Sequence, residues 1–236
     1  MTDFLGEFFG TMVLILFGGG VVAGVLLERS KAQNAGWIVV TTGWAFAVMC
    51  GIFTSKALGG SGDINPVGPV TELVTGSVAT NIALMRIAGE FAGAFTGAVL
   101  VWLHYLPHWE ETSNADAKLG VFCTAPAIRN VPANFVSEFI GTFALVFIAS
   151  AIGKFVKAEG AVAPLVGGLV WAIGLSLGGT TGYAINPARD LGPRLAHAIL
   201  PIPGKRDPDW SYAWIPVVGP FAGGVAAALL FAKLSA

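Results

Sequence analysis

The sequence predicts an all-α membrane protein in which six transmembrane helices and two re-entrant half-helices form an inverted repeat of three plus three. Three observations predict it. The 236 residues are 55% hydrophobic and only 11% charged, with a mean hydropathy of +0.74, far from the balance of a soluble domain. Uncharged runs at 8–27, 36–55, 161–188 and 213–232 match the roughly 20 apolar residues that a bilayer core requires. The chain also repeats itself, in one order: DFLGEFFGTMVLILF returns as NFVSEFIGTFALVFI, Asn65-Pro66 as Asn186-Pro187, and GEFAGAFTGAVLVWL as GPFAGGVAAALLFAKL.

The first span covers 4–27. It opens on MTDFLGEFFG, which carries acids where a secretory signal carries bases, so the run is retained as a span. Spans at 36–58 and 84–106 complete a first copy, 1–107. Residues 108–130, the longest polar stretch, are expected as a connecting surface loop. Spans at 132–154, 160–179 and 213–234 complete the second copy, 131–236, within a single domain of 1–236. A unit of three crossings ends on the face opposite its start, so the second copy enters the membrane upside down. The stretches 66–79 and 187–200 are too short to cross, because roughly 14 residues at about 1.5 Å each give ~21 Å against a hydrocarbon core of ~30 Å. Entering from opposite faces, they meet near the middle and make one broken span.

A net charge of -1 implies no nucleic-acid partner and no special attraction to anionic lipid. Cys50 and Cys123 suggest neither a disulfide framework nor a thiolate metal site. His104, His108 and His197 stand singly, without the spacing of a metal site or a catalytic pair, and are expected at interfaces or on the surface. No cofactor is implied. Trp102, Trp109, Trp210 and Trp214 fall at span ends as belt anchors, while Trp44 and Trp171 lie deeper, Trp171 as packing. Arg86 and Glu90, one helical turn apart, are expected to pair. The small residues of GEFAGAFTG and GPFAGGVAAA allow close helix contact.

Proline suits the first helical position and asparagine the cap before it, so Asn65-Pro66 and Asn186-Pro187 read as two helix starts. Such an end carries unpaired N–H donors and partial positive charge, which at membrane depth need a polar neighbour, best supplied by a water-filled path. The lead-ins GGSGDI and TTGYAI, kept irregular by glycine, offer a ladder of carbonyl acceptors along it. This places Asp63, Ile64, Ala184 and Ile185 on the path with Asn65, Asn186 and the helix residue Val67.

These residues resemble the major intrinsic protein family of aquaporins and glycerol facilitators over essentially the whole chain. TGYAINPARDLGP, with Arg189 and Asp190 after the second motif, together with Arg194 and Pro216-Val217, resembles the glycerol-conducting branch. The resemblance implies an aquaporin-like fold and a constriction built from Trp44, Gly174, Tyr183 and Arg189. Two aromatic faces there hold the carbon edge of a solute, guanidinium donors hold its oxygens, and glycine leaves room. It further implies that Glu7 and Glu138 accept hydrogen bonds from the re-entrant loops, with a proton relay as the competing reading. A homotetramer in the cell membrane with cytoplasmic termini is also implied. The Lys and Arg distribution by itself does not place the termini inside.

The sequence departs from the family pattern at Val67, which follows the first motif in place of alanine, and at Pro69, Asp63 and Tyr183. Pro69 cannot donate to the Asn65 carbonyl, which is therefore expected to stay open to solute. Tyr183 adds a hydroxyl to the filter. Asp63 has two readings: a pore-facing charge that repels anions, or a carboxylate bonded to backbone N–H groups of its own turn. The function that follows is a passive channel, not an enzyme, for small uncharged solutes. Glycerol comes first, with some water, and ions and protons are excluded. Undissociated lactic acid is the second reading, and a secondary transporter with broken helices comes from a different class.

Overall fold

A computed structural model describes residues 1–235. Among the described residues six long helices and four short ones follow in order: α1 Thr2–Leu26, α2 Trp37–Ala57, α3 Val67–Val74, α4 Thr80–His104, α5 Leu106–Glu111, α6 Ala115–Phe122, α7 Val131–Phe155, α8 Glu159–Ser176, α9 Pro187–Ile199 and α10 Ile215–Ser235. Five of the long helices are apolar and long enough to cross a membrane. The sixth, α8, has 18 residues, about 27 Å of helix.

Within the first copy α1 packs on α2 and α4, and within the second α7 packs on α8 and α10. α2 against α8 joins the copies. Each half-helix crosses over: α3 lies on α10 and α9 on α4. Lipid tails are as apolar as the helices, so close van der Waals contact holds such a bundle together. Glycines at matching repeat positions permit it. A Cβ at Gly93 would lie 2.2 Å from the Phe8 carbonyl oxygen of α1, and one at Gly223 would lie 2.2 Å from that of Phe139 in α7. Gly224 likewise makes room for Val67, whose Cγ1 would sit 2.2 Å from a Cβ there.

Several expectations need correction. The first half-helix stops at Val74, five residues early, because Gly76 takes φ +75° and closes the helix. The Gly76 and Ser77 N–H groups then bond the carbonyls of Leu73 and Glu72, the Schellman arrangement. The connector 108–130 is no bare surface loop. It contains the end of α5 and all of α6, and Lys118, Leu119, Val121, Phe122 and Cys123 are buried. Trp109 is also buried, with its indole N–H bonded to the Trp102 carbonyl, and does not serve as a belt anchor. His197 is fully buried in α9 against the Phe122 ring, since α6 folds over it. Trp171 faces outward, 39% exposed.

Candidate functional site

The two lead-in loops are clamped from behind by glutamates of α1 and α7. Glu7 Oε1 accepts from Ser55 Oγ (2.7 Å), Ser61 Oγ (2.9 Å) and the Gly62 N–H (2.9 Å), and its Oε2 accepts from the Ile64 N–H (2.7 Å). Glu138 Oε1 accepts from Thr181 Oγ1 (2.7 Å) and the Ala184 N–H (3.0 Å), and its Oε2 accepts from the Ile185 N–H (2.9 Å). In a trans peptide unit N–H and C=O point opposite ways. Drawing these N–H groups to the glutamates therefore turns the carbonyls of Ser61, Asp63, Tyr183 and Ala184 the other way. Among the described residues those four carbonyls accept no protein hydrogen bond, and all four residues line one cavity. The clamp also holds Ile64 and Ile185 at φ +46° and +44°, a left-handed backbone that costs a residue of this type about 1–3 kcal/mol.

The helix starts come next. Asn186 Oδ1 accepts from the Ala188 and Arg189 N–H groups (3.0 and 3.1 Å), capping α9. Asn65 Oδ1 accepts from the Val67 N–H (3.1 Å). With each carboxamide oxygen facing its own helix, each NH2 faces the other copy. Asn65 Nδ2 donates to the Ile185 carbonyl (2.9 Å), and Asn186 Nδ2 donates to the Ile64 carbonyl (2.8 Å). These reciprocal bonds join the two half-helices end to end. Each amide keeps a second N–H free of them.

A continuous cavity of about 510 Å³ passes this junction. One wall is apolar and repeats every helical turn: Trp44, Val48 and Ile52 on α2, then Val162, Val166 and Val170 on α8. The other wall is the carbonyl ladder with the Asn65 and Asn186 amides. From Trp44 to Lys56 the path follows α2 for about 18 Å. At the end away from the termini, the Arg189 guanidinium lies over the Trp44 ring, 4.1 Å from its centre. Trp44 is seated by Gly18, where a Cβ would fall 2.2 Å from the ring. Behind Arg189, buried Asp190 accepts from the Thr124 N–H, the Thr124 hydroxyl and Arg194 Nε, at 2.7 to 2.8 Å. Arg194 also donates to the carbonyls of Thr124, Pro208 and Asp209. The Asp209 carboxylate is in turn bonded by Arg129 and Ser211. Burial by itself would raise its pKa, but these bonds hold it below the ordinary value.

The structure departs from the sequence reading at this site in several places. Gly174 does not line the cavity. The space it leaves is filled by Tyr183, whose Cζ and hydroxyl would lie 2.8 and 2.9 Å from a Cβ there. The Tyr183 hydroxyl is buried without a protein partner, and its ring stands edge-on to Trp37, whose indole N–H donates to the Gly174 carbonyl (3.0 Å). The Asn65 carbonyl is not open, because the Gly68 N–H takes it at 2.9 Å. Pro66 and Pro187 stand at the two helix starts. Arg86 does not pair with Glu90. It bonds Asp3 (3.0 Å), Glu72 (2.8 Å) and Asp63 (3.4 Å). Glu90, fully buried, accepts the Asn65 N–H at 3.1 Å. Asp63 bonds no N–H of its own turn. Its partners are the Ser61 hydroxyl and Arg86.

Sequence reasoning missed Trp37, Thr124 and the support from Glu90. For Glu90 a signal existed, since GEFAG meets GPFAG in the repeat and Pro220 occupies the matching place.

Residues 1–231 match the family described as Major intrinsic protein. The chain is 53% identical over 231 residues to a probable glycerol uptake facilitator protein of Thermotoga maritima, covering 98% of each. It is 52% identical to glycerol uptake facilitator protein 3 of Lactiplantibacillus plantarum, covering 96% of this chain and 94% of the relative. At a lower 40% it matches a D/L-lactic acid transporter of that organism, covering 95% and 94%. The X-ray structure of the aquaglyceroporin from Plasmodium falciparum superposes with a TM-score of 0.85 at 25% identity, covering 99% of this chain and 96% of that one. With its inverted repeat, six spans and two half-helices, the chain belongs to the major intrinsic protein family and is a multi-pass integral membrane protein.

Proposed function

We propose that this protein is a passive channel that conducts glycerol, with water as a lesser permeant, through the path lined by Trp44, Asn65, Tyr183, Asn186 and Arg189. One observation carries the reading: a single cavity has an apolar wall facing a row of unpartnered carbonyls and two asparagine amides. A polyol has the same division, with carbon on one edge and hydroxyls on the other, so it exchanges its hydration shell for matched partners. A bare ion finds too few partners to replace its shell. At the junction both amides donate, and a water there accepts from them and directs its own hydrogens outward, which breaks a proton relay. Asp63, Ile64, Val67, Ala184 and Ile185 are assigned to the same path. Glu7, Glu138, Pro66, Pro187 and Asp190 are assigned to its support. Gly174 acts through Tyr183.

Lactic acid in its undissociated form is a second permeant under this reading. The likeness to a relative named for lactic acid favours it. The protein is assigned to the cell membrane as a homotetramer with cytoplasmic termini, one path per subunit, with exposed apolar side chains such as Phe46, Phe53 and Ile140 meeting lipid or neighbouring copies. Swelling of reconstituted vesicles in glycerol, urea and lactic acid at two acidities tests the function. Glycerol entry without counterflow or ion coupling is expected, and lactic acid entry rises as the medium is acidified. Ion-coupled or counterflow-stimulated glycerol movement would mean an alternating-access transporter.

A further inference from the structure

The first lead-in loop carries two polar side chains that the second copy lacks. Ser61 and Asp63 stand where the repeat has Gly182 and Ala184, and neither side chain is used by the filter or the asparagine junction. Ser61 Oγ touches two carboxyl groups, Glu7 Oε1 at 2.9 Å and Asp63 Oδ2 in direct hydrogen-bond contact. A hydroxyl has one hydrogen to give. It serves one of these oxygens as donor, and the other contact needs a hydrogen from the carboxyl side.

The surroundings decide which carboxyl supplies it. Glu7 Oε1 also accepts from the Gly62 N–H, and Oε2 from the Ile64 N–H, groups that can only donate. Ser55 Oγ takes the Gly62 N–H at 3.0 Å and sends its own hydrogen to Glu7 Oε1 at 2.7 Å. Glu7 is thus an acceptor at every contact, as an ionised carboxylate is, and it takes the Ser61 hydrogen as well. Ser61 Oγ is left as an acceptor toward Asp63, so the second hydrogen sits on Asp63 Oδ2. The charges nearby agree. Asp63 is faced by Asp3 and Glu7 of α1, by Glu72 of α3 and by Glu90 of α4, which holds the Asn65 N–H. The cations are Lys56 of α2, whose stem lies over Gly62, and Arg86 of α4. Arg86 bonds Asp3 and Glu72 at 3.0 and 2.8 Å and stands off from Asp63 at 3.4 Å. Carboxyl groups crowded in one site do not all ionise.

We propose that Asp63 carries a proton under neutral conditions and, through Ser61, positions the first lead-in loop, so that ionisation of Asp63 lowers glycerol permeability. Residues 61 and 63 each supply a carbonyl to the ladder, and the chain Asp63–Ser61–Glu7 fixes both rungs. When Asp63 ionises, its proton passes to water in the cavity that it lines. Ser61 is then left between two anions with one hydrogen, and the loop loosens. The second loop, with Ala184 at the matching place, has no such group. This role rests on the channel reading above and deepens it.

The test uses the full-length protein in vesicles. Infrared spectra of the wild type at neutral pH should contain the carbonyl band of a protonated carboxyl group that is missing in Asp63→Asn. In Ser61→Ala the band should shift, because the acceptor of its hydrogen bond is gone. Wild-type glycerol permeability should fall about fivefold from about pH 6 to 9, the factor that corresponds to one hydrogen bond. Asp63→Asn and Ser61→Ala should each give a flat profile, whatever their absolute level. A spectrum unchanged by Asp63→Asn, a flat or rising wild-type profile, or a slope that survives in either variant would overturn the proposal. If Asp63→Asn does not fold, the band of the wild type decides: its loss by about pH 9 and its shift in Ser61→Ala support the proposal, and an unmoved band overturns it. An Asp63 band in a protein that passes no glycerol at any pH would instead refute the channel reading.

Discussion

Replacing Gly174 with alanine adds one methyl group behind the filter and should narrow the path by pressing on Tyr183, which lines it. The new Cβ would stand 2.8 Å from Tyr183 Cζ and 2.9 Å from its hydroxyl, where ordinary contact begins at 3.4 Å. The phenol must therefore withdraw by about 0.6 Å, a distance close-packed side chains do not absorb freely. Trp37 stands edge-on to the same ring at 5.8 Å and blocks retreat on that side, so the ring is expected to yield into the cavity that it lines. Overpacking of this kind costs typically ~1–3 kcal/mol. Felt as a barrier by a solute that fills the constriction, ~1.4 kcal/mol is a tenfold loss of rate. Water, being smaller than the gap that remains, should lose about twofold or less. Stopped-flow light scattering on vesicles carrying equal amounts of protein reads both permeabilities. An equal loss of water and glycerol, or a gain in glycerol, would show that Tyr183 does not fill the Gly174 space at the constriction.

Two other substitutions follow from the same geometry. Glu138→Gln keeps the shape but sets an NH2 against N–H groups that now bond a carboxylate oxygen. At ~1–3 kcal/mol for an unpaired buried donor, the thermal midpoint of purified protein and its glycerol permeability should both fall, and unchanged values would mean that the clamp does not hold the loop. Asp209 has a folded pKa below its unfolded value of about 3.9. Its contribution to stability is therefore complete above that value and disappears as pH falls through the folded one. Melting of the wild type should weaken more steeply than that of Asp209→Asn on acidification from about pH 5 to 3, and parallel curves would exclude the effect.

The fold was legible because its cause is periodic and local. Apolar runs of spanning length and two Asn-Pro starts dictate helices wherever they occur, and an odd number of crossings per copy dictates inversion. The Gly76 stop has the same local cause, a glycine in position to close a helix. The connector was misread because its polarity is real but its buried side chains, Trp109 and Phe122 among them, face α9 and α4 neighbours that only the assembled bundle supplies. His197 belongs to the same case, a lone histidine whose cover comes from a segment far away in sequence. At the site, asparagine caps follow from residue type, whereas the filling of the Gly174 space by Tyr183 depends on how α8 and a loop approach one another. The partners of Arg86 similarly lie on three separate elements, α1, α3 and a loop, and its neighbour one turn away proved irrelevant.

The reciprocal bonds from the Asn65 and Asn186 amides to the Ile185 and Ile64 carbonyls join two helix ends into a floor that passes a polyol but interrupts a proton chain. Vesicles containing the protein and an internal pH indicator can be exposed to a glycerol gradient and a proton gradient together. Rapid glycerol equilibration with an internal pH as stable as in protein-free vesicles is the predicted result. Collapse of the pH gradient at a rate that grows with protein content, or glycerol entry no faster than through bare lipid, would refute it.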